Sequence, residues 1–171
     1  MRNVLKQRAA GLLALCRERR VMIATAESCT GGLLSAYLTS IAGASDVVER
    51  GFVTYSNDAK IEMLSVEAGV IEAVGAVSKE VALAMAAGAL LHSKAQISAA
   101  ITGIAGPGGG TNLKPVGLVH FAVAKRGAMT AGQMDYRAIH HEERFGDISR
   151  TEVQEESVGV ALQLLRQALD L

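Results

Sequence analysis

The sequence predicts an α/β fold in which a layered sheet of mixed strand direction is flanked by helices. Three observations predict it. Apolar runs of strand length alternate with stretches of helical period over the first hundred residues, glycine and polar clusters mark the strand-to-helix junctions, and two strand-like runs follow each other near the C-terminus with no helix between them. Half of the 171 residues are apolar, enough for one core, so a single domain over 1–171 is expected.

Residues 2–19 place Val4, Leu5, Leu12, Leu13 and Leu15 near a helical stripe with arginine and lysine between them. The run VMIATAES, 21–28, has strand length, and CTGGLLSAYLTSIAG, 29–43, has helical length and ends at Gly43. RGFVTYS, 50–56, predicts a second strand. NDAKIEMLSV, 57–66, predicts a short helix that buries Ile61, Met63 and Leu64 and is capped by Asn57 or Asp58. Residues 67–77 read as a glycine-punctuated loop. SKEVALAMAAGALLHS, 78–93, is an alanine-rich helix with Ser78 as its cap. The segment 96–115 joins a strand to the strongly loop-like GIAGPGGG, and 116–127 with 129–142 predict two antiparallel strands. A helix over 149–169 follows. There is no internal repeat and no dividing linker.

Lysine plus arginine number 17 and aspartate plus glutamate 17, so no overall field draws the chain to nucleic acid or an anionic membrane. Cys16 and Cys29 cannot build a disulfide framework, and no CxxC-type metal cluster is present, which fits a reducing compartment. The first twenty residues carry charges throughout and lack a long apolar run. They read as an amphipathic helix rather than a signal peptide, and a cytoplasmic location is expected. That helix offers an apolar face to a homodimer as readily as to the chain's own core, so the oligomeric state stays open.

In open α/β sheets ligands bind beyond the carboxyl ends of strands. Three polar clusters fall there: Thr25 to Gly32, which includes Glu27, Ser28, Cys29, Thr30 and Gly31; Tyr55 to Lys60; and Thr102 to Thr111, which includes Gly103, Gly106, Gly108, Gly109 and Gly110. Ser28, between a strand end and a Gly-Gly helix start, suits a nucleophile beside N–H groups that stabilise an oxyanion; the ordinary reading is that Ser28 or Thr30 caps the helix. Cys29 is a rival nucleophile or a small buried filler. Structural or surface roles fit His92, His120, His140 and His141 best, so a serine would need another base. Lys60 can serve if burial lowers its pKa, with the Tyr55 phenol orienting the amine or relaying a proton; the alternative is a solvated lysine and a half-buried tyrosine. GIAGPGGG can present several N–H groups to an anion such as phosphate, though no GK[ST] follows it and a flexible loop is its default reading. Arg150 can pair with a phosphate or lie in solvent.

Together, TAESCTGG, IAGASDVVERGFVTYSNDAK, GAVSKEV, ITGIAGPGGG and KPVGLVHFA resemble the CinA C-terminal domain family, in order and over nearly the whole chain. The resemblance implies a three-layer α/β/α sandwich with a mixed, mostly parallel sheet. It also implies hydrolysis of nicotinamide mononucleotide to nicotinate mononucleotide and ammonia, without a metal or organic cofactor. It puts the nucleophile on Ser28, the base on Lys60, an assisting tyrosine on Tyr55 and a site threonine on Thr102. Glu27, Cys29, Thr30, Gly31, Gly32, Gly103, Gly106, Gly108, Gly109, Gly110, Thr111 and Arg150 are the expected substrate-binding residues around them. Many relatives carry a further N-terminal molybdopterin-binding-like domain, which is not expected here. The family commonly reads FxGDRxxVR before its last helix; this chain reads Phe145-Gly-Asp-Ile-Ser-Arg150-Thr-Glu-Val-Gln154, with two extra residues before Arg150 and glutamine in place of the second arginine. That altered corner favours, as an alternative, a non-catalytic nucleotide-binding module of the same fold; an amidase for another small carboxamide is a second.

Overall fold

The computed structural model describes residues 2–130, 133–146 and 148–170. Ala131 and Gly132, within the second strand of the expected hairpin, and Asp147, in the segment before the last helix, lie outside the described residues. The elements are α1 (Arg2–Arg19), β1 (Ile23–Glu27), α2 (Leu33–Thr39), β2 (Val48–Val53), α3 (Asn57–Leu64), α4 (Ala68–Val74), α5 (Lys79–Leu91), β3 (Ile97–Gly103), β4 (Leu118–Thr130), β5 (Gln133–Arg144) and α6 (Arg150–Ala168). A single 3₁₀ turn, Ala44–Asp46, precedes β2.

The five strands lie in the order β2-β1-β3-β4-β5. β1 runs parallel to both β2 and β3, whereas β3 with β4 and β4 with β5 are antiparallel. The sheet is therefore evenly mixed rather than mostly parallel. The reason is that β4 follows β3 through the glycine loop, and without a crossover helix the chain must return in the opposite direction. The chain leaves β1 toward β2 on one side and comes back through α3, α4 and α5 to β3 on the other. This opens a crevice at the carboxyl ends of β1 and β3, the place where ligands settle in such sheets.

The two faces of the sheet differ in side-chain size. Ile23, Ile97, Ile101 and Phe121 pack with Leu12, Leu13, Leu34, Leu38 and Leu165 from α1, α2 and α6. The other face is lined by Ala24, Ala26, Ala100, Ala122 and Ala124, against Ala82, Met85, Ala86 and Ala89 of α5. Small residues on both surfaces let this helix lie close to the strands, and Ser98 Oγ donates to the Ala86 carbonyl at 2.7 Å across the gap. The helix backbone also meets α3 closely. A Cβ built on Gly88 would sit far inside van der Waals contact distance of the Leu64 carbonyl oxygen.

Several boundaries depart from expectation. α2 starts at Leu33 rather than Cys29, because Gly31 (φ 61) and Gly32 (φ 96) take left-handed conformations that no right-handed helix accepts. It stops at Thr39, and Gly43 instead introduces the 3₁₀ turn. β2 ends at Val53, so 54–56 are an extended lead into α3, whose cap is Ser56 and not Asn57 or Asp58; Ser56 Oγ accepts the Ala59 N–H at 3.0 Å. Residues 67–77, expected as loop, contain α4, with Ile71 buried against the α5 layer and Gly75 ending it. Ser78 caps α5 as expected, and Ser149 with Glu152 forms a capping box on α6.

Neither Ser28 nor Thr30 caps α2. Its N-cap is Gly32, which has no side chain for the task, and the buried carboxylate of Glu27 does it from the end of β1. One oxygen accepts Thr30 Oγ1 at 2.7 Å and the Leu34 N–H at 2.9 Å; the other accepts the Ser35 N–H and Oγ, both at 2.8 Å. A carboxylate at the positive end of a helix, with each oxygen doubly bonded, fixes the turn that follows it. Ser28 is the next residue.

Gly88→Ala should overpack the α3–α5 contact and lower stability by about 1–3 kcal/mol despite alanine's better helix propensity, seen as a lower urea midpoint with an unchanged m-value. Glu27→Gln puts an NH₂ among donors and should cost about 1–3 kcal/mol by the same measurement.

Candidate active site

Ser28 leaves β1 with its N–H bonded to the Ile101 carbonyl at 2.9 Å, which ties it to the end of β3. Lys60 sits in the first turn of α3, and its side chain runs inward until only 1 % is exposed. Its Nζ lies 3.0 Å from Ser28 Oγ, 2.8 Å from the Thr54 carbonyl, and 3.4 Å from the carbonyls of Tyr55 and Ser56. No carboxylate forms a salt bridge with it among the described residues. Burial pushes the Lys60 pKa below its ordinary value. The Cys29 thiol opposes this only when ionised, and its own burial holds its pKa up at about 12, so at neutral pH the opposition is absent. A neutral amine has two N–H donors and one lone pair. In that form the carbonyls take the donors and the lone pair is left for the Ser28 hydroxyl, whereas the ammonium donates to Ser28 Oγ.

The Tyr55 phenol does not meet this amine. It is 62 % exposed with the rest of its side chain, and accepts from Arg150 Nη2 at 3.1 Å. Tyr55 reaches Lys60 through its main-chain carbonyl, so the orienting contact expected from its side chain is made by backbone. Arg150 Nη1 donates to the Gly106 carbonyl at 2.8 Å. The guanidinium thus joins the glycine loop to the lead into α3, despite the two extra residues before it.

These groups surround a cavity of about 270 Å³. Ser28, Cys29, Tyr55, Lys60 and Arg150 line it, together with Thr102, Gly103, Gly106, Gly108 and Gly109. Thr102 is buried, with Oγ1 donating to the Ala76 carbonyl at 2.9 Å, and a Cβ on Gly103 would strike Val119 and the Leu118 carbonyl. The other expected residues stand outside the lining. Glu27 and Thr30 are bonded to each other beneath the turn, Gly31 and Gly32 shape it, Gly110 lies against Val116, and Thr111 closes the loop on Lys114 through both its N–H and its Oγ1. None of the four histidines lines the cavity; His120, buried on β4, pairs with His140 on β5 at 3.0 Å.

Asn57, Ile104 and Ala105, inside the named clusters but not singled out there, also line the cavity, as do Ala76 and Val77, and Gln154 adds a contact that residue type alone does not announce. Asn57 reads as a cap because it stands at a helix start. Gln154 Nε2 donates to the Cys29 carbonyl at 2.9 Å, and its signal was spacing: it follows Arg150 by four residues, one turn along the same helix face. The Gly31 N–H holds the Ser28 carbonyl at 3.0 Å. Two successive carbonyls of the nucleophile turn are thus tethered, while the N–H of Thr30 donates to no protein acceptor among the described residues and that of Cys29 meets only its own thiol. An N–H held in a turn beside a hydroxyl and not committed to a strong acceptor is the kind of donor a tetrahedral oxyanion requires.

No group of three or more metal-ligating side chains is assembled among the described residues, and none of the described helices is long and apolar enough to cross a membrane.

The fold is shared with known proteins. The chain superposes on the competence/damage inducible protein CihA from Agrobacterium tumefaciens with a TM-score of 0.90 and 48 % identity, covering 98 % of this chain and 96 % of that one. A competence-damaged protein (CinA) superfamily protein from Escherichia coli gives a TM-score of 0.84 at 33 % identity, over 96 % of this chain and 90 % of that one. A CinA-like protein of Mycolicibacterium vanbaalenii is 52 % identical over 147 residues, 86 % of this chain, and the chain spans about one third (33 %) of that relative's length. The sequence model of the CinA C-terminal domain matches residues 5–169, and the chain belongs to that family.

Proposed function

We propose that the cavity is the active site of a serine-lysine amidohydrolase that converts nicotinamide mononucleotide to nicotinate mononucleotide and ammonia. The observation that carries the reading is a buried lysine amine, its pKa lowered, 3.0 Å from the hydroxyl of Ser28. Lys60 Nζ takes the Ser28 proton as Oγ bonds to the carboxamide carbon. The N–H groups of Cys29 and Thr30 receive the oxyanion. Lys60 then returns the proton to the amide nitrogen, the C–N bond breaks and ammonia departs, leaving an ester on Ser28. Water, deprotonated by Lys60, attacks that ester, and Ser28 leaves with the proton. The scheme uses protein groups and water alone.

Arg150 suits the phosphate end. Two of its five N–H donors are engaged by Gly106 and Tyr55, which leaves others for an anion beside the N–H groups of Gly108 and Gly109. The balanced charge and the buried thiols fit a cytoplasmic enzyme acting on a small metabolite.

Ammonia release from the mononucleotide tests this directly. Ser28→Ala and Lys60→Ala should each lower kcat on the order of 10³-fold or more; full activity in either removes that residue from the mechanism. Arg150→Met should raise KM for the mononucleotide about 10- to 100-fold while barely changing that for its phosphate-free riboside. Because burial lowers the folded-state pKa of Lys60, kcat/KM should rise with pH through a value below that of free lysine, and Lys60→Met should abolish that limb. Stability follows the same sign. The unfolded chain keeps this proton to higher pH than the folded one, so wild-type stability should rise with pH between the two pKa values, a slope that pH-dependent urea unfolding reads and Lys60→Met flattens.

A further inference from the structure

We propose that Gln154 is a positioning residue for the nucleophile turn, holding the peptide after Cys29 in the orientation that turns its N–H to the reacting oxygen. The inference rests on the reading of Ser28 as a nucleophile. A peptide unit is planar, with its carbonyl and N–H pointing in opposite directions, so a bond to the Cys29 carbonyl sets the direction of the Thr30 N–H. Gln154 Nε2 makes that bond at 2.9 Å from α6. The preceding peptide is held by the Gly31 N–H on the Ser28 carbonyl at 3.0 Å, a bond within the turn itself. Gln154 is therefore the long-range tether, 125 positions from its partner.

The turn needs such a tether. Gly31 and Gly32 relax the backbone at its far end, and Glu27 fixes it only from below, through Thr30 Oγ1 and the first N–H groups of α2. The half-buried amide of Gln154 closes the remaining side. The same helix face carries Arg150 one turn earlier, so the start of α6 grips the nucleophile turn with one residue and the glycine loop with the other. The charged residues lining the hollow beside this amide are Arg2, Lys6 and Glu155, of which Arg2 and Glu155 pair at 3.2 Å, and Arg150 lies one turn earlier on α6.

Fluorophosphonate labelling of the full chain tests the proposal without reference to any amide substrate, because Ser28 Oγ displaces fluoride from phosphorus by the same attack. Gln154→Met keeps the size and loses the donor; it should label about 10- to 100-fold more slowly than wild type at an unchanged Tm. Gln154→Glu supplies a donor only when protonated. Its rate relative to wild type should therefore rise as pH falls from about 8 toward 4, while the Gln154→Met ratio stays flat. A Gln154→Met rate within twofold of wild type, or a flat Gln154→Glu ratio, overturns the proposal, and the second readout decides alone if the methionine variant does not fold. Labelling that survives Ser28→Ala, or a wild type that takes no label, overturns both the nucleophile and the tether. A wild type that labels at Ser28 and shows these ratios but releases no ammonia from the mononucleotide overturns the substrate and leaves the tether standing.

Discussion

The arrangement depends on burying one amine without a counter-charge. An ammonium taken from water into this interior would lose its hydration, and main-chain carbonyls of 54–56 return only part of it, so the neutral form gains. The protein brings Lys60 there by geometry alone. β2 ends early, an extended lead of three residues wraps its carbonyls around the amine, and Ser56 starts α3 at the phase that points Lys60 inward. Thr54 also bonds its N–H to the Glu27 carbonyl, so the lead that cradles the lysine is stitched to the strand that delivers the serine.

Much of this was legible in the sequence, and the failures have physical causes. The β1-turn-α2 unit, the Ser78 cap and the helix from Ser149 announce themselves through local residue chemistry, and the structure keeps them. Ser28 and Lys60 could be nominated but not joined, because their contact crosses 32 positions and depends on a crevice that only strand order creates. α4 escaped because its glycine-flanked stretch has one deeply buried residue, Ile71, and so little periodicity. Glu27 reads as a ligand-binding residue because it adjoins Ser28; strand alternation turns its side chain beneath the sheet end to the helix instead. Residue type points to the Tyr55 phenol for a contact that its carbonyl makes, a distinction invisible before the backbone is placed.

The division of labour in the site follows from rigidity. Groups that would touch reacting atoms, Ser28, Lys60 and the turn N–H groups, are held by buried bonds to strands or helix starts. Those facing the mouth, Tyr55, Gly108 and Gly109, are exposed, and a single guanidinium joins Tyr55 to the loop at Gly106. A fixed chemical centre with a looser rim suits a small acyl group that must be placed accurately, attached to a larger remainder that need only be retained.

The docking of α6 has a consequence for how the molecule matures. Its two contacts to the site bridge 125 and 44 positions, and Arg150 further reaches across 95 to Tyr55. During synthesis the segment bearing Ser28 and Lys60 emerges long before its clasp, so the hydroxyl and amine can meet while the cavity is still unfinished. Hydrolytic competence should then be among the last properties acquired, appearing only when the final helix settles against the sheet.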